Sequence, residues 1–361
     1  MRLASDRNSS RSANDPTGRD FQEQIGMATK NMNTNRSMDI DESELKMARI
    51  RERLGRNFFG KFGMLGVLIC IFVACSIVSP FFLQVKNLLN ITRQVSVMGI
   101  LSLGQTLIII TGGIDLSVGS MLAISTLFVA GFTGLGPVAS VLLALAIATL
   151  CGALNGLIIT KGKVQPFIAT LGMMTIIVGV GLTYSGGHPI IGINNDLHFI
   201  GQGTLGLVPI AAVLFAVAAA ACAVLLTYTR IGRYIFAIGG NQEGSRLAGI
   251  HVNKVKTIVY MLSGFFSGFA GIIMASHLNI GEANIGKGFE LDSIAAVVVG
   301  GTSLSGGQGS IGKTIIGVLI IGMINNFLNL MNIPGYSQQI VKGAIIIGAV
   351  LIQSFDSSAK R

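Results

Sequence analysis

The sequence predicts an all-α polytopic membrane protein with about ten transmembrane helices, one of them short or re-entrant. Of its 361 residues, 51% are hydrophobic and only 12% are charged, a composition unlike that of a soluble domain. Apolar runs of about 20 residues, enough to cross a hydrocarbon layer about 30 Å thick, recur between positions 63 and 354. A single soluble core stops growing at roughly 250 to 300 residues and could not bury all of these runs.

Residues 1–61 form a polar segment rich in Asn, Ser, Arg and Asp, with no early apolar run that could act as a signal peptide. We expect an uncleaved cytoplasmic tail that is mostly disordered, because it has too little apolar surface to fold. Within it, the segment from Asp41 to Arg56 predicts a short surface helix, since Asp41 and Glu44 have the spacing of a capping box. A transmembrane domain is predicted at 62–355 and a second cytoplasmic tail at 356–361.

The apolar runs divide into ten predicted spans, each bounded by turn residues or charges. In chain order they are 63–83, 94–112, 115–133, 137–159, 165–186, 206–228, 257–278, 290–303, 311–331 and 338–354. The piece at 290–303 is too short for an ordinary crossing, so we expect a short or re-entrant segment there.

Basic residues fall mainly on one side of the membrane when the N-terminal tail is placed inside. The external loops then carry only Lys86, Arg93 and Lys287. The predicted cytoplasmic segments carry Lys161, Lys163, Arg230, Arg233, Arg246, Lys254, Lys256, Lys313, Lys360 and Arg361. This asymmetry follows the positive-inside rule and places both termini in the cytoplasm. It also accounts for the net charge of +10, and no basic patch interleaved with aromatic residues suggests nucleic-acid binding.

Small residues inside the spans predict close helix packing. Gly264, Gly268 and Gly271 recur at helical spacing in one span, where they let backbones approach in lipid. The four cysteines also lie in apolar runs, without metal-ligand or redox spacing, and we expect them to be packing residues. Two glycine- and serine-containing segments, 112–119 and 300–307, interrupt apolar sequence as broken helices at transport sites do.

Residues 307–314 match the phosphate-binding pattern GxxxxGK[ST]. They follow the apolar run at 297–299 and precede a helix-like stretch. Nucleotide chemistry also needs a carboxylate that helps to hold Mg²⁺, and the only acidic residue after Thr314 is Asp356, near the C-terminus. The sequence therefore predicts no nucleotide site here and no catalytic residue in this chain.

Polar residues inside the spans are candidates for a substrate path. Asp115 is costly to place in a membrane unless it faces a cavity or a partner, although it could instead cap the third span. Asparagine amides on helices could contact a ligand or bond neighbouring helices. The candidates for the path are Asp115, Ser117, Asn155, Asn325 and Asn326.

The energy for transport is predicted to come from outside the chain. Asp115 and Lys342 are the mid-span ionisable groups that stand out, too few for an ion or proton relay. In the longest cytoplasmic loop, 229–256, a short helix is predicted with Asn241 as N-cap and Gly249 as C-terminal stop. This helix could dock into another protein or could be an ordinary solvated loop helix.

Three motifs carry a family resemblance. They are Gly113-Ile-Asp-Leu-Ser-Val-Gly119, the run from Arg230 to Gly249, and the run from Glu290 to Gly307. In order and spacing, over about residues 60–355, the chain resembles the ribose-type permeases of bacterial ABC importers. The GK[ST] at 312–314 departs from the family's usual glycine-rich stretch, and the N-terminal tail is longer than usual.

The resemblance implies a permease subunit in the bacterial inner membrane that moves a monosaccharide by alternating access. It implies a homodimer surrounded by membrane lipid, served by a periplasmic sugar-binding protein and a cytoplasmic ATPase with two fused nucleotide domains. ATP and Mg²⁺ would bind that ATPase, and this chain would bind no cofactor or metal. The family's coupling segment maps onto Asn241, Glu243, Arg246, Leu247 and Gly249. A stand-alone secondary sugar carrier and an ABC permease for branched-chain amino acids are the alternatives.

Overall fold

The computed structural model of the protein describes residues 63–358. The predictions made for residues 1–61, including the helix from Asp41 to Arg56, lie outside the described residues. At the other end, the last helix continues to Ser358, which is beyond the predicted end of the transmembrane domain.

The described residues form helices joined by short connections. The helices are α1 (Gly63–Val78), α2 (Val85–Ile110), α3 (Val118–Gly131), α4 (Pro137–Thr160), α5 (Pro166–Ser185), α6 (His198–Gln202), α7 (Ile210–Tyr228), α8 (Arg230–Gly240), α9 (Gln242–Leu247), α10 (Val252–Leu278), α11 (Phe289–Val299), α12 (Ile311–Leu330) and α13 (Gly335–Ser358). Two antiparallel pairs of two-residue strands accompany them, β1 (Ile190–Ile191) with β4 (Ile280–Gly281) and β2 (Thr204–Leu205) with β3 (Val208–Pro209).

Each predicted span overlaps a helix within residues 63–358, and the chain is a multi-pass membrane protein. Six helices in this part of the chain are long and apolar enough to cross a membrane on their own: α2, α4, α5, α7, α10 and α12. The apolar helices α1 and α3 are shorter. Helix α11 has 11 residues and spans about 16 Å at 1.5 Å per residue, which suits a short or re-entrant piece.

Several helix boundaries differ from the sequence prediction; α10, for example, begins at Val252, inside the loop predicted at 229–256. Helix α2 begins at Val85, well before position 94. Its first turns, which contain Lys86 and Arg93, are helical although they are too polar to be read as part of an apolar span. The loop predicted at 229–256 contains a second helix, α8, before α9. Thr229 caps α8 by accepting a hydrogen bond from the amide of Gly232 at 3.1 Å, a signal that the sequence carried and that the prediction missed.

Helix α10 lies at the centre of the fold and packs against α2, α3 and α4. The predicted close packing is confirmed. A Cβ added to Gly264 would lie 2.3 Å from the carbonyl oxygen of Ala148, and one added to Gly271 would lie 2.4 Å from that of Leu122. A Cβ on Gly268 would come within 2.8 Å of the Ala148 side chain. Inside a lipid bilayer the hydrophobic effect does not favour the association of helices, because the lipid tails are themselves apolar. Dispersion contacts between these closely packed backbones therefore stabilise the bundle.

A second group of buried side chains joins α1, α2, α11 and α12 and includes the fully buried Ala296 and Val318. Here too a glycine sets the helix separation, because a Cβ on Gly317 would lie 1.9 Å from the Ala296 carbonyl oxygen. The four cysteines are unpaired; Cys75 and Cys222 are buried, Cys151 is partly buried and Cys70 is exposed. Large apolar side chains on the outer faces of α4, α5 and α7 are exposed, as expected for surfaces that meet lipid.

Candidate transport path and coupling segment

A buried polar network forms where α2 ends and α3 begins. Asp115 is fully buried, and its Oδ1 accepts hydrogen bonds from the Ser117 amide at 2.8 Å and the Ser117 hydroxyl at 2.6 Å. Asn155 of α4 donates from Nδ2 to the Ser117 hydroxyl at 2.8 Å. From α10, the Ser263 hydroxyl donates to Asp115 Oδ2 at 3.4 Å, and the Tyr260 hydroxyl to the Ile114 carbonyl at 3.4 Å.

This network brings three of the predicted path residues together around one helix start. Ser117 is the N-cap residue of α3, and the carboxylate of Asp115 holds its amide and hydroxyl. Asp115 thus holds the turn that precedes α3, but it bonds the N-cap residue itself and not the amides of the first helical turn. The Oδ1 atom of Asn155 is buried and has no hydrogen-bond partner among the residues that the structure describes.

Asn326 forms a reciprocal amide pair with Asn87. Asn87 donates to Asn326 Oδ1 at 3.1 Å, and Asn326 donates to Asn87 Oδ1 at 2.8 Å. Each amide thus uses both its donor and its acceptor, and the pair joins α2 to α12. This geometry fits an interhelical contact rather than a group held ready for a ligand.

Asn325, the next residue along α12, belongs to a different cluster. It donates from Nδ2 to Asp292 Oδ2 at 3.2 Å, and Lys342 of α13 forms an ion pair with the same oxygen at 2.7 Å. The Asp292 side chain is only 7% exposed. Sequence reasoning selected Lys342 but missed Asp292, although an intramembrane lysine indicates that an acidic partner exists elsewhere in the chain.

A cavity of about 330 Å³ opens beside this cluster. It lies among α2, α6, α7, α10, α11 and α12, at the ends of the spans that the charge pattern places outside. Its lining consists of Arg93, Gln94, Val97, Met98, Gly201, Ala211, Ile273, Met274, His277, Leu278, Phe289, Asp292, Gly322, Asn325 and Asn329. Of the five predicted path residues, Asn325 is the one that lines this cavity.

The predicted coupling helix is present as α9. Asn241 is its N-cap and accepts a hydrogen bond from the Gly244 amide at 2.8 Å, and Gly249 ends the turn with a φ of 83°. Glu243 and Arg246 form an exposed ion pair at 2.8 Å. Leu247 is 83% exposed. An open groove of about 560 Å³ lies beside the helix, lined by Arg246, Gly249 and the residues that lead into α10.

The end of α8, just before α9, contacts the end of α2 and the second predicted helix interruption. The structure confirms a non-helical break at each predicted interruption, over 112–117 and 300–310, whereas Val118 and Gly119 of the first already belong to α3. The Gly307 amide donates to the Ile110 carbonyl at 2.9 Å, which joins the second segment to the last residue of α2. A Cβ on Gly239 would lie 1.8 Å from Ile110 O and 2.4 Å from Gly307 N. We call this contact of Gly239, Ile110 and Gly307 the glycine junction.

The GxxxxGK[ST] segment does not have the geometry of a phosphate-binding loop. A helix, α11, precedes it where a nucleotide fold has a strand. The Thr314 side chain, which would face Mg²⁺ in such a loop, is fully buried and lies 2.9 Å from the Thr106 hydroxyl. Lys313 is exposed at the start of α12.

Comparison with known proteins identifies the family. The family described as the permease component of branched-chain amino acid transport systems matches residues 87–350. The ribose import permease of Bacillus subtilis (strain 168) is 46% identical over 292 residues, 80% of this chain and 90% of that protein. This chain belongs to the ribose-type ABC importer permeases.

Other members of this permease family differ in the sugar that their names give. The ribose import permease of Escherichia coli (strain K12) is 42% identical over 311 residues, 83% of this chain and 97% of that protein. The galactose/methyl galactoside import permease of the same strain is 37% identical over 320 residues, 82% of this chain and 95% of that protein. Among solved structures, none matches this chain.

Proposed function

We propose that this protein is the membrane subunit of an ATP-driven importer of a monosaccharide. Sugar import permeases resemble the chain over about four-fifths of its length, which favours a sugar over a branched-chain amino acid as cargo. The structural observation that carries the proposal is α9, a capped helix with Leu247 exposed and with the glycine junction directly behind it. An exposed apolar residue on a capped helix suits docking to a partner subunit, which an ATP-driven importer requires.

The mechanism that we propose is alternating access. Two copies of the chain would enclose the path, with ATPase subunits on α9 and a sugar-loaded binding protein at the outer ends of the helices. Closure of the ATPase would push α9, and the glycine junction would carry the displacement to the segments at 112–117 and 300–310. The binding protein without sugar must bind less well to the state that releases sugar, because only differential affinity shifts such an equilibrium.

The topology that we propose follows the charge pattern. Both termini face the cytoplasm, the protein lies in the inner membrane, and the chain makes about ten passes, with α11 as the short or re-entrant one. In this orientation, α9 faces the cytoplasmic ATPase and the β2–β3 hairpin faces the periplasm. ATP and Mg²⁺ bind the ATPase and not this chain.

Leu247→Asp should uncouple the transporter, because a charge would replace the exposed apolar side chain that α9 offers to the ATPase. Its matched control is Leu207→Asp, since Leu207 in the β2–β3 turn is 79% exposed and lies on the opposite side. The measurements are copurification of the ATPase and ATP-dependent uptake of D-ribose, D-allose and D-galactose into vesicles that contain the complete transporter.

We expect Leu247→Asp to lose most of the bound ATPase while Leu207→Asp retains it. Equal copurification with both variants would contradict the assignment of α9. Uptake that an ion gradient drives without the ATPase would support the stand-alone carrier instead.

A further inference from the structure

We propose that the 330 Å³ cavity among α2, α10, α11 and α12 is a binding subsite for one monosaccharide ring within the permease itself. The proposal rests on the proposed function and deepens it, because it gives the permease a contact with its cargo. The cavity volume lies at the small end of typical ligand sites, about 300 to 1,000 Å³, and suits a ligand of single-ring size.

Buried polar atoms without a partner are concentrated among the residues that line this cavity. Asp292 Oδ1, Asn325 Oδ1, Arg93 Nε and His277 Nδ1 have no partner among the residues that the structure describes. All four belong to residues of the lining, and Asp292 is 5% exposed. A buried polar atom without a partner costs about 1–3 kcal/mol, so four around one cavity are unfavourable unless a ligand or solvent satisfies them.

The chemistry of these atoms matches a hydroxylated ring. Asp292 and Asn325 offer oxygen acceptors, whereas Arg93 offers a nitrogen donor, and a sugar hydroxyl can both donate and accept. Val97, Met98 and other apolar side chains of the lining can pack against the C–H face of a ring. A few polar groups on a mainly apolar wall are typical of small-molecule sites.

The charges in the cluster favour a neutral ligand over an anionic one. Lys342 lies 2.7 Å from Asp292 Oδ2, so the carboxylate is already paired, while its other oxygen has no hydrogen-bond partner among the described residues. An acidic ligand would be repelled by that carboxylate. Arg93, the permanently cationic side chain among the lining residues, already donates to the Gln202 carbonyl at 3.3 Å. A neutral polyol meets no such repulsion.

The position of the cavity fits the first step of import. In the proposed orientation its lining comes from the periplasmic ends of α2, α10 and α12. A sugar that leaves the binding protein would reach this subsite before it passes the buried network around Asp115.

The test uses a fluorescent reporter in the purified permease. The chain contains no tryptophan, so Phe289→Trp places a single indole in the cavity wall. Titration with D-ribose, D-allose and D-galactose should give a saturable change in emission for at least one sugar. The same change should be lost when Asn325→Leu is added, and L-leucine should give none. Tyr336→Trp, at a residue 76% exposed and outside the lining, is the control and should not respond.

A reporter that fails to fold is replaced by Leu278→Trp, because Leu278 lines the same cavity and is 44% exposed. No saturable response from any folded reporter, or a response that Asn325→Leu leaves unchanged, would overturn the subsite. A response to L-leucine alone would also overturn it.

If the complete transporter still takes up sugar in the vesicle assay, such a result rejects the subsite and leaves the proposed function intact. If uptake is absent for every sugar, the proposed function itself fails.

Discussion

At the end of α8, two consecutive glycines have different surroundings. A Cβ on Gly239 would lie 1.8 Å from the Ile110 carbonyl oxygen, whereas a Cβ on Gly240 would meet nothing within 4 Å. Both residues are glycines, and they are adjacent in the same helix. Substitutions at the two positions therefore distinguish the effect of the close contact at the glycine junction from the effect of glycine's low helix propensity.

Gly239→Ala should destabilise the protein and impair uptake, because overpacking costs about 1–3 kcal/mol and here it would push apart backbone atoms. Gly240→Ala should be neutral or slightly stabilising, since alanine favours a helix by about 1 kcal/mol over glycine. Thermal unfolding in detergent and vesicle uptake measure both. Two variants with the same melting temperature and uptake would rule out the close contact.

The ion pair of Asp292 and Lys342 makes a second prediction at this scale. Lys342→Ala should be strongly destabilising, by about 3–5 kcal/mol, because it leaves the buried carboxylate of Asp292 without its ion pair. Asp292→Ala should cost less, because the Lys342 side chain is 24% exposed and water can still solvate its charge. The double variant should lose less than the sum of the two. Lys313→Ala, which removes an exposed lysine of α12, is the control and should unfold like the wild type. Additive losses in thermal unfolding would mean that the two charges do not depend on each other.

At the scale of elements, α10 depends on its small residues. Gly264→Val should prevent close packing of α10 on α4, because even a Cβ there would lie 2.3 Å from the Ala148 carbonyl oxygen. Gly172→Val, on the exposed face of α5 with nothing within 4 Å, is the matched control. We expect a large drop in folded yield, measured by size-exclusion chromatography, for the first variant only. Similar yields would show that α10 can move away without loss.

Local signals made some elements predictable from the sequence, and long-range contacts made others unpredictable. Helix α9 was predicted with its caps because Asn241 and Gly249 act within a few residues of themselves. The partner of Asn326 is Asn87, 239 positions earlier, and the partner of Lys342 is Asp292, 50 positions earlier. No short-range pattern contains such pairs. The cavity could not be predicted from the sequence for the same reason, since the residues that line it come from six helices.

At the scale of the whole molecule, the orientation in the membrane is the property to test. The four native cysteines are replaced by alanine, and a single cysteine is then introduced at Leu207 or at Leu247, which are similarly exposed. In intact cells, a membrane-impermeant maleimide should label Leu207→Cys and not Leu247→Cys. Both should be labelled after the membrane is opened. Labelling of Leu247→Cys in intact cells would invert the proposed topology and remove α9 from the ATPase.

The glycine junction has a mechanical consequence. Contacts between side chains can absorb motion by a change of rotamer, but the amide of Gly307 and the carbonyl of Ile110 belong to the main chain and have no such freedom. A displacement of α8 at this contact should therefore move the main chain at Ile110 and Gly307 by a similar amount. We therefore expect substitutions at the glycine junction to raise the number of ATP molecules hydrolysed per sugar molecule transported. The affinity of the transporter for the loaded binding protein should stay unchanged.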